Sequence, residues 1–238
     1  ALLPLDPHRR VTLTAGARAD RLSFDVEDHF LNDADDDSGA RVMTAASGHL
    51  GAIWRVRSWA VPYANVSTAF ETPTTTELAA SPTASGGFNP DLGPQQIRTL
   101  EVGARGRWRS WLGYEVALFR SDARDAIVQF LETSGRAFFR NAGETRSEGI
   151  ELGATALPLS WLELRAAYTF ANYRFTEYRI TSGAVVDTLD GNRMAGVPRT
   201  VVRLGARGSY RGFALDADHT LQSAVYGNDA NTVAAPGW

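Results

Sequence analysis

The side chains in this sequence that could do chemistry are acidic residues and histidines. The stretch NDADDDSG, residues 32–39, places Asp33, Asp35 and Asp37 at alternate positions before a glycine. That spacing resembles the start of a calcium-binding loop. The twelfth position counted from Asp33 is Thr44, where such a loop needs a bidentate glutamate. We therefore expect a solvated acidic hairpin tip here and no metal site.

The four histidines are dispersed along the chain. They are His8, His29, His49 and His219. No pair has the H-E-x-x-H or H-x-x-E-H spacing that places two imidazoles on one metal ion. His29 and His49 are the two that could touch a metal chelate, and solvated side chains are the default expectation.

The sequence also lacks the patterns of common catalytic sites. It has no cysteine, which removes disulfides, thiolate zinc sites and thiol nucleophiles. Serine, histidine and aspartate occur without a G-x-S-x-G turn. The glycine-rich GARGRW and GARGSYRG fall within strand-like stretches and match no phosphate-binding pattern. With a net charge of -3 there is no basic field for nucleic acid. We expect no enzyme activity and no cofactor.

The dominant signal along the chain is an alternation of apolar and polar residues with period two, which is typical of β-strands. In the first stretch Val11, Leu13, Ala15 and Ala17 alternate with polar residues or glycine. Nine stretches show it: Val11–Asp20, Ala45–Val56, Ala60–Phe70, Thr99–Trp108, Gly113–Arg120, Gly149–Ala156, Leu162–Ala171, Thr200–Arg207 and Phe213–Thr220. No amphipathic helix is convincing. The pattern predicts an all-β antiparallel meander with one apolar and one polar face.

The connections between these strands alternate between short and long. The short ones are RSW at 57–59, RSW at 109–111, LPLSW at 157–161 and SYRG at 209–212. The long ones cover about 28–42, 71–96, 121–147 and 172–198. Turns that are short at one end and long at the other are typical of a transmembrane β-barrel with short periplasmic turns and long extracellular loops.

Aromatic residues collect at the short-turn end, as expected of a girdle at a membrane interface. They are Trp54, Trp59, Trp108, Trp111, Trp161 and Tyr210. The apolar faces would then meet lipid, and the polar faces would line a lumen. The lumen-facing candidates are His49, Glu101, Arg105, Glu115, Glu151, Glu163, Arg165 and Arg203. A soluble β-sandwich with the apolar faces packed together is the alternative.

Nine strands cannot close a wide barrel, and an open sheet edge cannot lie in lipid. Bacterial single-chain barrels also have even strand numbers. The first strand begins at Val11 without a preceding signal-peptide pattern, and NTVAAPGW at the end reads as a turn before another strand. We expect the chain to be an internal piece of a longer protein that does not close a stable barrel alone.

Four segments resemble the TonB-dependent outer-membrane receptors, in the order found in that family. They are YANVSTAFETPTTTEL (63–78), NPDLGPQQIRTLEVGAR (89–105), FFRNAGETRSEGIELGA (138–154) and GNRMAGVPRTVVRLGA (191–206). One departure is Thr200, which stands where a histidine is common. Each segment alone is a weak signal, and together they cover most of the chain.

The resemblance implies that residues 1–238 are part of the C-terminal half of the barrel domain, without the plug domain, the TonB box or the last strands. The family takes up iron-siderophore complexes, cobalamin, haem or sugars across the outer membrane of Gram-negative bacteria. Its partners are outer-membrane lipid, the receptor's own plug and the TonB complex that supplies energy. The polar lumen side chains would pack against the plug. A passive porin-like channel remains open as an alternative.

The resemblance also gives a role to the loop at 71–96, which would be extracellular and would contact a small-molecule or metal-chelate ligand. The candidates for ligand contact are Phe70, Glu71, Thr72, Pro73, Thr74, Thr75, Thr76, Glu77 and Asn89. Threonine hydroxyls can donate and accept hydrogen bonds, and the prolines of the loop limit its conformations. A solvated loop without ligand contact is the alternative.

Overall fold

The computed structural model describes residues 2–4, 10–29, 37–80, 87–131, 137–141, 143–182 and 185–238. The predictions for Asp33, Asp35 and His8 lie outside these residues. Within them, no helix is long and apolar enough to cross a membrane.

Strands dominate the described part of the chain. In chain order they are β1 (Leu2–Pro4), β2 (Val11–Val26), β3 (Gly39–Trp54), β4 (Val61–Glu71), β5 (Gln95–Trp108), β6 (Leu112–Arg124), β7 (Ile127–Leu131), β8 (Ala137–Asn141), β9 (Glu144–Leu159), β10 (Leu162–Glu177), β11 (Arg179–Ser182), β12 (Val185–Thr188), β13 (Thr200–Tyr210), β14 (Phe213–Gln222), β15 (Val225–Tyr226) and β16 (Ala234–Ala235). One short helix, α1 (Thr75–Ala79), lies between β4 and β5.

Ten of these strands form one antiparallel sheet in the order β1-β2-β3-β4-β5-β6-β9-β10-β13-β14. All nine predicted strands are confirmed, and β1 is an additional, unpredicted one. The hairpins β7–β8 and β11–β12 fill two of the long connections, and β15–β16 follows β14. Apart from these insertions, each strand pairs with its neighbour in the chain, as a meander requires.

The short turns have the backbone conformations of tight hairpins. Arg211 and Gly212, between β13 and β14, both have positive φ, at 48° and 86°. Two central residues with φ above zero define the hairpin turn whose twist matches that of the flanking strands. Arg109, in the turn after β5, also has a positive φ of 54°. Gly212 adopts its positive φ without steric cost because glycine has no Cβ atom.

The register divides the sheet into two faces of opposite character. Residues paired across an antiparallel ladder share a face. One row of such pairs contains Leu13, Ala52, Ala64, Val102, Leu118, Ile150 and Phe170. Leu50 and Leu118 on this apolar face are 56% and 53% exposed. In the described residues the long strands form one ten-stranded sheet, whereas the β-sandwich alternative requires two sheets packed face to face.

The apolar face does not run the full length of the strands. In β2 it carries Val11 to Ala19 at odd positions, and then Arg21 and Asp25. Leu22 and Phe24 point to the other side. The apolar part is therefore about nine residues long, which is the length a tilted strand needs to cross a bilayer. The remainder of the 16-residue strand extends beyond that band at the long-connection end.

Two small hydrophobic clusters lie at this extended end. The first is built from Met43, Leu78 and Leu92, and the second from Phe175, Tyr178 and Leu189. Both join a main strand to a segment of a long connection. The long connections are therefore folded against the sheet where the structure describes them.

Candidate functional site

The connection after β4 begins with a capped helical turn. The Thr74 hydroxyl accepts a hydrogen bond from the Glu77 backbone N–H at 3.3 Å. In return, the Thr74 backbone N–H donates to the Glu77 carboxylate at 2.7 Å. This reciprocal capping box satisfies two N–H groups that a helix start otherwise leaves unpaired. It fixes the start of α1 although the helix has only five residues.

Apolar packing holds this helical turn on the sheet. Leu78 of α1 and Leu92 are both fully buried, at 0% exposure. They pack with Met43 of β3, and Phe24 and Phe139 lie against the same cluster. Because an isolated helical turn is unstable in water, this packing keeps the segment in place.

Asn89 is the polar anchor of the same connection and is 1% exposed. Its side-chain amide donates to the Phe139 carbonyl at 3.0 Å, and its side-chain oxygen accepts from the Asp91 backbone N–H at 3.0 Å. Its backbone N–H donates to the Leu78 carbonyl at 2.6 Å. Arg41 donates to the Asn89 carbonyl. Asn89 thus ties α1, β3 and β8 together through groups that are all satisfied internally.

Asn141 is a second polar anchor, which the sequence did not single out. Its side chain accepts from the Gly93 backbone N–H at 2.6 Å. It donates to the Gly93 carbonyl at 2.9 Å and to the Asp125 carbonyl at 2.6 Å. The connection after β4 is therefore pinned to the hairpin β7–β8 at two asparagines.

This packing separates the residues predicted to contact ligand into two groups. Pro73 and Asn89 are buried, and Asn89 uses its polar groups inside the protein. Thr74, Thr75 and Thr76 are exposed on α1 and at its start. The remaining candidates are Phe70, Thr72 and Glu77, which are half-buried, and Glu71, which is exposed and bonds Gln95. Ligand contact stays a prediction, and the exposed threonines are the members with free surface.

Replacing Thr74 with alanine is expected to destabilise α1 by about 1 kcal/mol, since the hydroxyl that accepts from Glu77 is lost. Thr74→Ser keeps the hydroxyl and is the matched control. Hydrogen exchange of the Glu77 amide measures the effect, with roughly fivefold faster exchange expected in the alanine variant. Equal exchange in both variants would contradict the capping role.

The residues predicted to line a lumen all share the polar face of the sheet. The register shows this directly, because Arg105 pairs with Glu115, Ala117 with Glu151 and Ala167 with Arg203. The full set on this face is His49, Glu101, Arg105, Glu115, Glu151, Glu163, Arg165 and Arg203. Their contact with a plug domain stays a prediction.

Two groups form among them. His49, Glu101, Arg105 and Glu115 line one groove of about 370 Å³ with Tyr63, whose hydroxyl donates to Glu115 at 3.4 Å. In the second group, Arg165 lies 2.7 Å from Asp216 and 3.3 Å from Asp218. Glu163 is 3.8 Å from the same guanidinium. Tyr63, Asp216 and Asp218 were not among the predicted site residues. Their positions among the polar residues of the period-two alternation could have identified them from the sequence.

The predicted aromatic girdle lies at the short-turn end of the sheet. Its members are between 41% and 62% exposed: Trp54, Trp59, Trp108, Trp111, Trp161 and Tyr210. Trp59 and Trp108 make an edge-to-face contact at 5.8 Å between ring centroids. Amphipathic rings at one level of an apolar face fit a membrane interface, and this role remains a prediction.

The described residues hold no cluster of three or more acidic or histidine side chains able to bind a metal ion. The His29 side chain is 82% exposed and lies 4.0 Å from Glu27. His219 pairs with Leu204 and so stands on the apolar face.

The sheet geometry and the uncovered apolar band lead to a known family. Residues 2–238 match the family model described as "TonB dependent receptor-like, beta-barrel". The chain belongs to this family. Its members are β-barrels of the Gram-negative outer membrane, with short periplasmic turns and long extracellular loops. In this TonB-dependent receptor chain, three connections are therefore extracellular. One contains α1, and the other two contain the hairpins β7–β8 and β11–β12.

Individual relatives share this barrel. The chain is 26% identical over 158 residues to "Probable TonB-dependent siderophore receptor PiuA" of Acinetobacter baumannii, covering 63% of this chain and 20% of PiuA. The crystal structure of PiuA matches 96% of this chain with a TM-score of 0.76 and 19% identity, over 33% of the PiuA chain. The chain therefore spans about a third of the solved receptor.

Two further receptors have the same fold. The ferric yersiniabactin uptake receptor FyuA of Yersinia pestis matches with a TM-score of 0.72 and 19% identity, over 96% of this chain and 34% of FyuA. The copper transporter OprC matches with a TM-score of 0.71 and 19% identity, over 90% of this chain and 32% of OprC. These proteins are named as transporters and uptake receptors, and none is named as an enzyme.

Proposed function

We propose that this chain forms part of the barrel of an outer-membrane receptor. The receptor imports a scarce ligand, an iron-siderophore complex, with energy from TonB. The observation that carries the proposal is the family match over residues 2–238. The ligand class is supported by PiuA and FyuA, which are named for siderophore and ferric yersiniabactin uptake.

In this proposal residues 1–238 are a partial barrel domain, and the plug domain and the last strands belong to the rest of the receptor. The sheet supports the idea of a partial barrel, because β1 and β14 stand at its two edges. An open edge cannot lie in lipid without partners for its backbone groups. The polar face, with Glu101, Arg105 and Arg165, would line the lumen and contact the plug through hydrogen bonds and ion pairs.

The extracellular connection after β4 is proposed to contact the ligand. Its exposed threonines offer hydroxyl groups on a segment that Leu78 and Asn89 hold in one conformation. A preorganised segment loses less conformational entropy when a ligand binds. Hydroxyl donors suit the oxygen-rich surface of a metal chelate.

The experiment is uptake of a radiolabelled ferric siderophore by cells that produce the protein from its own gene. We expect uptake in cells with TonB and none above background in cells without it. The double variant Thr75→Ala/Thr76→Ala should reduce uptake about tenfold, which corresponds to about 1.4 kcal/mol of binding free energy. Thr44→Ala is the matched control and should leave uptake unchanged, since Thr44 is an exposed threonine that pairs with Arg21 on the outer side of β3, away from α1.

Two alternatives make different predictions for the same experiment. A passive porin-like channel would give uptake that persists without TonB. A receptor for another metal, as OprC is named for copper, would give TonB-dependent uptake of that metal and none of the ferric siderophore. Either outcome would overturn the ligand or the energy coupling proposed here.

A further inference from the structure

Two neighbouring short turns of the sheet carry the same three residues, Arg-Ser-Trp, at 57–59 and 109–111. A second arginine precedes each turn. We call the four side chains the arginine rim: Arg55, Arg57, Arg107 and Arg109, all of which are exposed. Because they close the hairpins β3–β4 and β5–β6 at the short-turn end, they stand at the periplasmic opening of the barrel.

No carboxylate neutralises this rim. Residues 54–62 and 105–114 contain no aspartate or glutamate. Within the described part of the chain, none of the four arginines makes an ion pair. Arg55 donates a hydrogen bond to the Thr12 hydroxyl at 2.7 Å, which leaves its charge in place. The rim therefore carries four positive charges without an internal counter-ion.

The turn geometry does not require arginine at position 109. Arg109 has a φ of 54°, a backbone conformation that asparagine and glycine adopt at lower cost. A residue kept in a sparsely populated conformation points to a role beyond the fold. The Arg109 side chain is exposed, so that role lies at the surface.

Backbone hydrogen bonds hold the two turns together. The Arg107 backbone N–H donates to the Ser58 carbonyl at 2.9 Å, and the Arg57 N–H donates to the Ala60 carbonyl at 3.1 Å. The centres of the two turns are two strand spacings apart, about 10 Å. Four guanidinium groups spread over this distance suit several carboxylates of one extended segment better than a single small anion.

Half of the rim faces the opening of the barrel and not the lipid. Arg107 lies on the polar face of the sheet, and its neighbour Trp108 lies on the apolar face. In the same way Arg55 bonds Thr12 of the polar face, while its neighbour Trp54 pairs with the apolar face. Lipid headgroups meet the apolar face, so the groups on the polar side are open to the periplasm.

We propose that the arginine rim docks an acidic segment of a second protein in the periplasm. Unpaired guanidinium groups attract carboxylates from a distance and then bind them through parallel N–H donors. The turns are already ordered, so little conformational entropy is lost on docking. The inference rests on the orientation of the family in the outer membrane and not on the identity of the imported ligand.

The test uses the receptor produced from its own gene and purified in detergent, with a fluorescently labelled hexaglutamate peptide as the probe. Six extended residues span about 20 Å, enough to reach both turns. We expect the affinity to fall about tenfold in Arg57→Gln/Arg109→Gln, and to weaken with added salt in the unchanged receptor. Arg98→Gln is the matched control and should bind normally, since Arg98 is exposed on β5 near its extracellular end.

Two further arms identify what the rim recognises. Hexaglutamine has the same length without charge and should not bind. Phosphatidylglycerol retained after delipidation should be equal in the unchanged receptor and the double variant. If the double variant loses this lipid and the peptide by the same factor, the rim is a lipid site and the proposal fails.

Three other results would also overturn the proposal. The first is an unchanged receptor that does not bind hexaglutamate, because another part of the receptor would then cover the rim. The second is a double variant that binds the peptide as tightly as the unchanged receptor. The third is equal binding of hexaglutamate and hexaglutamine. Arg55→Gln/Arg107→Gln repeats the test on the other half of the rim should the first double variant not assemble.

Discussion

Replacing Leu78 with alanine is expected to release the helical turn α1 from the extracellular end of the sheet. Leu78 is 0% exposed and packs between Met43 and Leu92. Removing a fully buried leucine side chain costs about 3 kcal/mol, through lost burial and the cavity left behind. Because α1 cannot persist alone in water, the loss should appear as local opening while the sheet remains folded.

Hydrogen exchange measures this opening. About 3 kcal/mol corresponds to roughly 150-fold faster exchange of the Leu78 and Asn89 amides. Leu215→Ala is the control, because Leu215 is 74% exposed on the apolar face and should leave these amides unchanged. If exchange at Leu78 were the same in both variants, the cluster would not hold the segment. Uptake should also fall in Leu78→Ala if a fixed segment contacts the ligand.

Replacing Gly149 with alanine is expected to disturb the pairing of β9 with β10. A Cβ atom at Gly149 would lie 2.9 Å from the Ala171 Cα atom and 3.0 Å from the Phe119 ring, and still closer to the Phe170 carbonyl oxygen. Two of these contacts are with backbone, which cannot move without changing the ladder. Overpacking of this kind costs about 1–3 kcal/mol.

Gly153 provides a matched control on the same strand and the same face. A Cβ atom there has no heavy atom of the described residues within 4 Å. Gly153→Ala should be neutral or stabilise by about 0.5 kcal/mol, because alanine restricts the unfolded chain. Urea titration of the heat-modifiable band on unboiled gels compares the two. Equal midpoints for the two variants would show that the close approach at Gly149 carries no constraint.

The strand count could be predicted from the sequence because the bilayer imposes strict alternation along each strand. The strand ends could not. In β2 the alternation predicts Asp20 as the end, and the strand runs to Val26. From Arg21 onward the apolar and polar sides exchange, because Arg21 and Asp25 stand on the outer side while Phe24, on the other side, packs against the cluster of Met43, Leu78 and Leu92. A search for one unchanged apolar–polar alternation therefore ends each strand where its membrane-facing part ends.

The extracellular connections were harder to predict because their order comes from contacts between distant segments. The T-x-x-E spacing of Thr74 and Glu77 is the capping-box pattern and predicts the start of α1. Leu78 and Leu92, isolated in a polar stretch, could also have been noticed as buried positions. Asn89 was predicted to contact ligand, and its bond to the Phe139 carbonyl depends on a hairpin 50 residues away in the chain. No local pattern reveals such a partner.

The chain-order pairing of the sheet has a consequence for how the protein assembles. β9 and β10 are separated by two residues, as are β13 and β14, so each hairpin can close with little loss of loop entropy. Contacts between chain neighbours give a low contact order, which favours fast folding for a β protein. Each hairpin can therefore add to the edge left by the one before it. The barrel wall can grow strand by strand, without any pairing having to wait for a remote part of the chain.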